Sequence, residues 1–300
     1  MHTDRPPHRL QVARRRPGAP YLAGAPLLMA HRGGAALAPE NTLTAFRQAL
    51  EWWRSDILEL DVHATRDGEV VVIHDEAVDR TTDGSGPVAA HALGELRELD
   101  AGFRFSPDAG RSHPYRGQGI TIPTLAEVLD AFPGTRVNVE IKDGRAQART
   151  REVVAAAGAG SRVLIAAARR AFRDRMGDYA GAVSGSEEEL KHFYLLHRVR
   201  AARVFRPRVD AFQLPLRHRG REVVSARLVR DAHAHNIAVH VWTVDTVEEM
   251  HRLLDAGVDG IVTDRPDRLA RVLHERTGRP LPPGPSDQER SGFLEWLLLA

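Results

Sequence analysis

Ile57-Leu58-Glu59-Leu60-Asp61-Val62 is an apolar, β-rich run that carries two carboxylates two residues apart. Residues i and i+2 of a strand face the same side, so Glu59 and Asp61 point together. Outward from this run the pattern recurs. Leu27-Leu28-Met29-Ala30 ends in His31-Arg32-Gly33-Gly34. Val70-Val71-Val72-Ile73 ends in His74-Asp75. Val137-Asn138-Val139 ends in Glu140-Ile141-Lys142, with Glu140 and Lys142 again on one side. Repeated delivery of charge to strand ends is how a barrel enzyme assembles a site.

The remainder of the chain alternates in the same sense. Strands are expected at 27–31, 57–62, 70–74, 136–141, 162–166, 181–184, 210–214, 237–242 and 259–263. Helices are expected at 42–53, 124–131, 146–158, 187–200, 223–235, 246–256 and 266–275. A helix after each later strand is the pattern of parallel β/α units. Asn41 or Thr42 suits the N-cap of the first helix. Ala256-Gly257-Val258-Asp259-Gly260-Ile261 reads as helix stop, turn and strand start. The Gly- and Pro-rich stretch 79–120 breaks the rhythm. It reads as an insertion between a barrel strand and its helix, with at most a short helix near 92–98, either placed over the barrel mouth or a solvated excursion.

The chain of 300 residues is long enough for one α/β barrel, expected over 26–275. Residues 1–25 read as a disordered tail and 276–300 as a second tail, whose Leu-rich end is expected to pack on protein. Charged residues make up 27% and the net charge is +2, with bases and acids interleaved. This argues against nucleic acid as a partner. No run is long enough for a membrane helix, membrane contact is not expected, and residues 1–25 lack a signal-peptide core, so a cytoplasmic location is expected. The absence of cysteine excludes disulfides, thiolate metal sites and a cysteine nucleophile. Of 42 basic residues only Lys142 and Lys191 are lysine. A lysine kept at a strand end suits a site where a compact ammonium fits better than a guanidinium fork.

Convergent carboxylates repel one another unless a cation or several bases compensate, and all-oxygen donors favour a hard ion such as Mg²⁺ or Ca²⁺. A salt-bridge network with Arg32 and Lys142 is the alternative. His31 and His74 can take or give a proton near neutral pH. Arg32 offers a phosphate fork, and Gly33 and Gly34 would let backbone amides approach an anion.

These residues carry a family resemblance. His31-Arg32-Gly33-Gly34 with Pro39-Glu40-Asn41-Thr42 resembles the opening signature of the glycerophosphodiester phosphodiesterases. Glu59-Leu60-Asp61-Val62, His74-Asp75, Asp79-Arg80-Thr81-Thr82-Asp83-Gly84, Ile122-Pro123-Thr124-Leu125, Glu140-Ile141-Lys142, Val241-Trp242-Thr243-Val244 and the run Gly257 to Pro266 continue it in family order. The resemblance implies a TIM (β/α)8 barrel that hydrolyses glycerophosphodiesters to sn-glycerol 3-phosphate and an alcohol. It implies a divalent metal on Glu59, Asp61 and Glu140, His31 and His74 as acid and base, and Arg32 and Lys142 on the phosphate. Trp242 resembles the residue lining the glycerol pocket. Glu40 is expected to orient His31 or Arg32, and Gln213 to line the pocket. Asp264 reads as a helix N-cap. Residues 163–168 lack the Ser-Phe pair of many members, and 168–209 match loosely, which bears on substrate preference. A lysophospholipase D-like activity uses the same core. A phosphoester-binding protein without catalysis would need no proton shuttle.

Overall fold

The computed structural model describes residues 20–176, 179–206 and 209–286. Its strands are β1 (Leu27–Ala30), β2 (Ile57–Ala64), β3 (Val70–Val72), β4 (Arg136–Ile141), β5 (Val163–Ala166), β6 (Ala182–Val183), β7 (Ala211–Pro215), β8 (Arg217–His218), β9 (Arg221–Glu222), β10 (Ala238–Trp242) and β11 (Gly260–Thr263). Its α-helices are α1 (Leu43–Glu51), α2 (Leu93–Arg97), α3 (Leu125–Ala131), α4 (Gln147–Ala156), α5 (Glu187–Arg198), α6 (Ala226–His233), α7 (Val247–Ala256) and α8 (Pro266–Thr277).

Strands pair in the order β6-β5-β4-β2-β1-β11-β10-β7, all parallel. A parallel bridge between Ser184 and Ala211 brings the two ends together. The fold is therefore a nearly closed eight-stranded parallel barrel with helices outside, as expected. Helix ends follow local chemistry. Thr124 with Glu127 and Ser186 with Glu189 form capping boxes, and Gly257 ends α7 at φ 85°. Thr42, not Asn41, caps α1, accepting from the Ala45 N–H.

One apolar cluster fills the barrel. Leu27, Met29, Ile57, Leu164, Ala182, Ala211 and Ala238 project inward near the amino ends of their strands. Tyr21 and Leu22, 1% and 2% exposed, plug this end. The expected tail to residue 25 thus ends earlier, because burial of these two side chains outweighs the ordering of a short turn. Residues 1–19 lie outside the described residues, as does the Leu-rich end 293–300. Leu58, Leu60 and Val62 face outward under Phe46 of α1 and Leu125, Val128 and Leu129 of α3.

The 70–74 strand departs from expectation. β3 runs antiparallel to β2, with Val62 opposite Val72 and Ala64 opposite Val70, and leaves the barrel wall. The insertion after it builds its own small core from Val71, Ile73, Val78, Val88, Leu96, Ala101 and Ile122. No described residue of 79–120 lines the main cleft, which favours the solvated excursion of the two readings. No described helix is long and apolar enough to cross a membrane.

Candidate active site

Strand register decides which side chains meet. β2 and β4 pair Glu59 with Asn138 and Asp61 with Glu140 at the carboxyl-end rim. One ligand atom from each of Glu59, Asp61 and Glu140 lies within 4.8 Å of the others. Glu59 and Asp61 are 4% and 1% exposed. Lys142 Nζ stands 3.1 Å from Asp61 Oδ1 and 3.0 Å from Glu140 Oε2, and Arg32 Nε lies 3.3 Å from Asp61 Oδ2. The Asn41 amide, at φ 59°, donates to Asp61 Oδ2 at 3.1 Å. Asn41 thus supports the acidic cluster rather than the helix end.

The basic network and the acidic cluster coexist. Burial would raise Asp61, but Lys142, Arg32 and His74 outweigh it and hold its carboxyl below the usual range. The Glu59 carboxylate accepts from the Arg32 backbone N–H at 3.0 Å and lies 4.0 Å from His31 Nε2. Burial and the neighbouring Asp61 push it up to about 8. A carboxyl raised by burial and by two neighbouring carboxylates is one that a bound cation could hold in its charged form.

Both imidazoles are held in the same way. β1 and β11 pair Ala30 with Thr263, so the next residues, His31 and Asp264, leave the rim side by side. His31 Nδ1 and Asp264 Oδ1 are 2.6 Å apart. Burial disfavours the imidazolium, yet the Asp264 hydrogen bond and the Glu59 carboxylate prevail and hold His31 at about 8. The N-cap position of α8 is Arg265, with no side-chain cap, so the reading of Asp264 as an N-cap is corrected. The β2–β3 hairpin returns the chain to the rim, with the Ile73 N–H donating to the Asp61 carbonyl. His74 follows at once, and its Nδ1 lies 2.6 Å from Asp75 Oδ1. An ionised carboxylate only accepts, so Nδ1 carries the proton in both rings and Nε2 is left for chemistry.

Arg80, from the insertion, joins the two halves. Its guanidinium donates to Asp75 at 2.5 Å and to both Glu40 oxygens at 2.7 and 2.8 Å. Glu40 accepts from Arg32 Nη1 at 2.9 Å, so it orients Arg32 and not His31. Although burial works against it, Arg80 and His74 hold Asp75 at about 2. Its contribution to stability is complete above its ordinary value near 3.8 and is lost as pH falls through about 2. Arg80→Leu is expected to lower kcat/KM about 10-fold by loosening His74 and Arg32 together. It should also flatten the acid limb of stability below pH 4, measured by thermal unfolding. Unchanged kinetics would remove Arg80 from the site.

Gln213 of β7 lines the cleft, and among the described residues its amide nitrogen has no hydrogen-bond partner; Asn138 Oδ1, which sequence reasoning passed over, is in the same state. Trp242 lines the opening, 44% exposed. Gly33 and Gly34 serve packing rather than anion approach. Their φ values are 86° and 94°, a Cβ on Gly33 would stand 2.7 Å from Ala45 Cβ, and the Gly34 N–H is taken by the His31 carbonyl. Asp75, Arg80 and Asp264 were visible in the sequence as residues, but no local signal gave them these partners.

A parallel barrel with acids, imidazoles and bases gathered at its carboxyl-end rim defines a hydrolytic barrel enzyme as the class. The family model described as the glycerophosphoryl diester phosphodiesterase family matches residues 31–268, and the chain belongs to that family. A glycerophosphodiester phosphodiesterase of Caldanaerobacter subterraneus subsp. tengcongensis is 34% identical over 259 residues, covering 83% of this chain and 98% of the relative. The glycerophosphoryl diester phosphodiesterase domain of Rv2277c from Mycobacterium tuberculosis shares the fold at TM-score 0.74 and 22% identity, covering 84% of this chain and all of that one. An Oleispira antarctica phosphodiesterase, solved in complex with the product sn-glycerol-3-phosphate, aligns at TM-score 0.63 and 23% identity over 83% of this chain and 97% of its own.

Proposed function

We propose that this protein hydrolyses glycerophosphodiesters to sn-glycerol 3-phosphate and an alcohol. One observation carries the reading: two imidazoles, each with Nδ1 held by its own carboxylate, line one cleft with Glu59 and Glu140 of the three-carboxylate cluster. The named activity of the 34% identical relative supports it. Binding alone would need neither imidazole.

Glu59, Asp61 and Glu140 would hold a divalent cation, Mg²⁺ or Ca²⁺ by their hard oxygen donors, which supplies positive charge to phosphate oxygens and makes a nearby hydroxyl more acidic. Arg32 and Lys142 bind and orient the phosphate. Trp242 and the Gln213 amide flank the glycerol end. The attacking oxygen is either the substrate's own 2-hydroxyl, forming a cyclic phosphate, or water. As its bond to phosphorus forms, its proton passes to one histidine Nε2. The other Nε2 gives a proton to the departing alkoxide as the second P–O bond breaks. In the cyclic route water then opens the ring with the two roles exchanged. Asp264 and Asp75 keep the rings in one tautomer throughout.

An enzyme-coupled assay of glycerol 3-phosphate release tests the reading on a panel of glycerophosphodiesters, with Mg²⁺ and Ca²⁺ in parallel. Release dependent on added cation is expected. Binding of the panel without any product would overturn the reading.

A further inference from the structure

The cleft does not stop at the acidic cluster. It encloses about 1480 Å³, more than the roughly 300–1,000 Å³ common for small-molecule sites, and runs outward between α5 and the β8–β9 hairpin. One wall is a single face of α5, from Glu187 through Leu190, Lys191, Tyr194 and Leu195 to Arg198. At 1.5 Å per residue this face is about 16 Å long. The opposite wall is Arg217 to Glu222, turning at Arg219 and Gly220 with φ of 50° and 75°. The 168–209 segment that departs from the family pattern therefore supplies much of one wall.

The charges on these walls are unequal. Lys191 is paired with Glu187 at 2.7 Å, Arg217 faces Glu249 at 3.5 Å, and Glu222 faces Arg252 at 3.2 Å. Among the described residues, Arg198, Arg219 and Arg221 have no carboxylate partner. The phosphodiester under attack already has Arg32 and Lys142. Three further guanidiniums on the outer walls would be idle beside a neutral alcohol lying there and would repel a cationic one. Guanidinium forks match phosphate. The apolar side chains of Leu190 and Tyr194 can cover the carbon skeleton between the two ends.

We propose that the outer half of the cleft is a leaving-alcohol site for a second phosphate, so that the preferred substrates are glycerophosphodiesters whose alcohol bears its own phosphate group. This rests on the phosphodiesterase reading above and names its substrate class. The test compares kcat/KM for glycerophosphoglycerol with that for the same compound carrying a terminal phosphate, at low and high salt. The phosphate-bearing substrate should be favoured about 10-fold at low salt, and salt should erode the advantage. The double variant Arg219→Glu, Arg221→Glu should bring the ratio of the two substrates close to one, and Arg198→Glu should lower it in part. Equal kcat/KM for the two substrates, or an advantage untouched by these variants, would overturn the inference. Faster turnover of a lysophospholipid, lost on Leu190→Ser with Leu195→Ser, would assign the cleft to an acyl chain and also overturn it. Failure of every substrate would instead strike the phosphodiesterase reading, so the two failures are distinct.

Discussion

His74→Ala is expected to lower kcat by about 10²–10⁴-fold, with the same order of loss for His31→Ala. Each imidazole presents one nitrogen to the cleft, since the other is committed to Asp75 or Asp264 at 2.6 Å. Alanine removes the imidazole nitrogen placed at that point to take or give the proton, and the opposite histidine cannot serve both oxygens. Both rings are partly exposed, with side-chain exposures of 30% and 16%, so truncation leaves little core cavity. Thermal unfolding of both variants should therefore stay close to that of the parent. The double variant should lose little more than either single one, because the two groups act in one reaction as a unit. Near-normal turnover by either folded single variant would defeat the assignment.

Removal of divalent cations is expected to abolish turnover, and added Mg²⁺ or Ca²⁺ to restore it. A second readout needs no substrate. A ligand that binds only the folded state stabilises it, by about 2.7 kcal/mol at 100 times its Kd. Cation should therefore raise Tm, and Glu59→Gln should reduce the rise. The sign of its pH dependence follows from Glu59. Held at about 8, against an ordinary value near 4.5, it keeps a proton in the folded state that the unfolded chain has lost at neutral pH. Cation-free stability should then fall as pH rises between these limits. Cation binding displaces that proton, so the Tm rise should grow from pH 5 to pH 8. A rise that is absent, or larger at pH 5, would remove the cation from this cluster. Activity that survives thorough chelation would do the same.

Much of the architecture was legible because it is local. Alternating β-type runs and helical periods, with the stop at Gly257, gave helices within a few residues of those observed. The misreadings share a physical origin. A strand's own sequence does not reveal its partner, so Val70–Val72 looked like a barrel strand although it turns back on β2. Asp264 precedes a helix and so resembled a cap, while its carboxylate is spent on a histidine 233 residues away. Asn41, likewise, is drawn from the helix end by a buried carboxylate. Buried charge demands partners more strongly than an exposed helix terminus does.

By itself, the sequence determined the parallel β/α order, the absence of thiol chemistry, and the common facing of Glu59 with Asp61 and of Glu140 with Lys142. These follow from a period of two and from composition. Only the tertiary structure decided that β1 lies between β2 and β11, which sets His31 beside Asp264, and that a hairpin carries His74 back to the level of Asp61. It also decided that Arg80 ties Asp75 to Glu40 and that Arg198, Arg219 and Arg221 line the same cleft as the histidines. The reason is that local chain geometry fixes direction within a strand, whereas proximity between strands arises when the barrel closes and buries its interior.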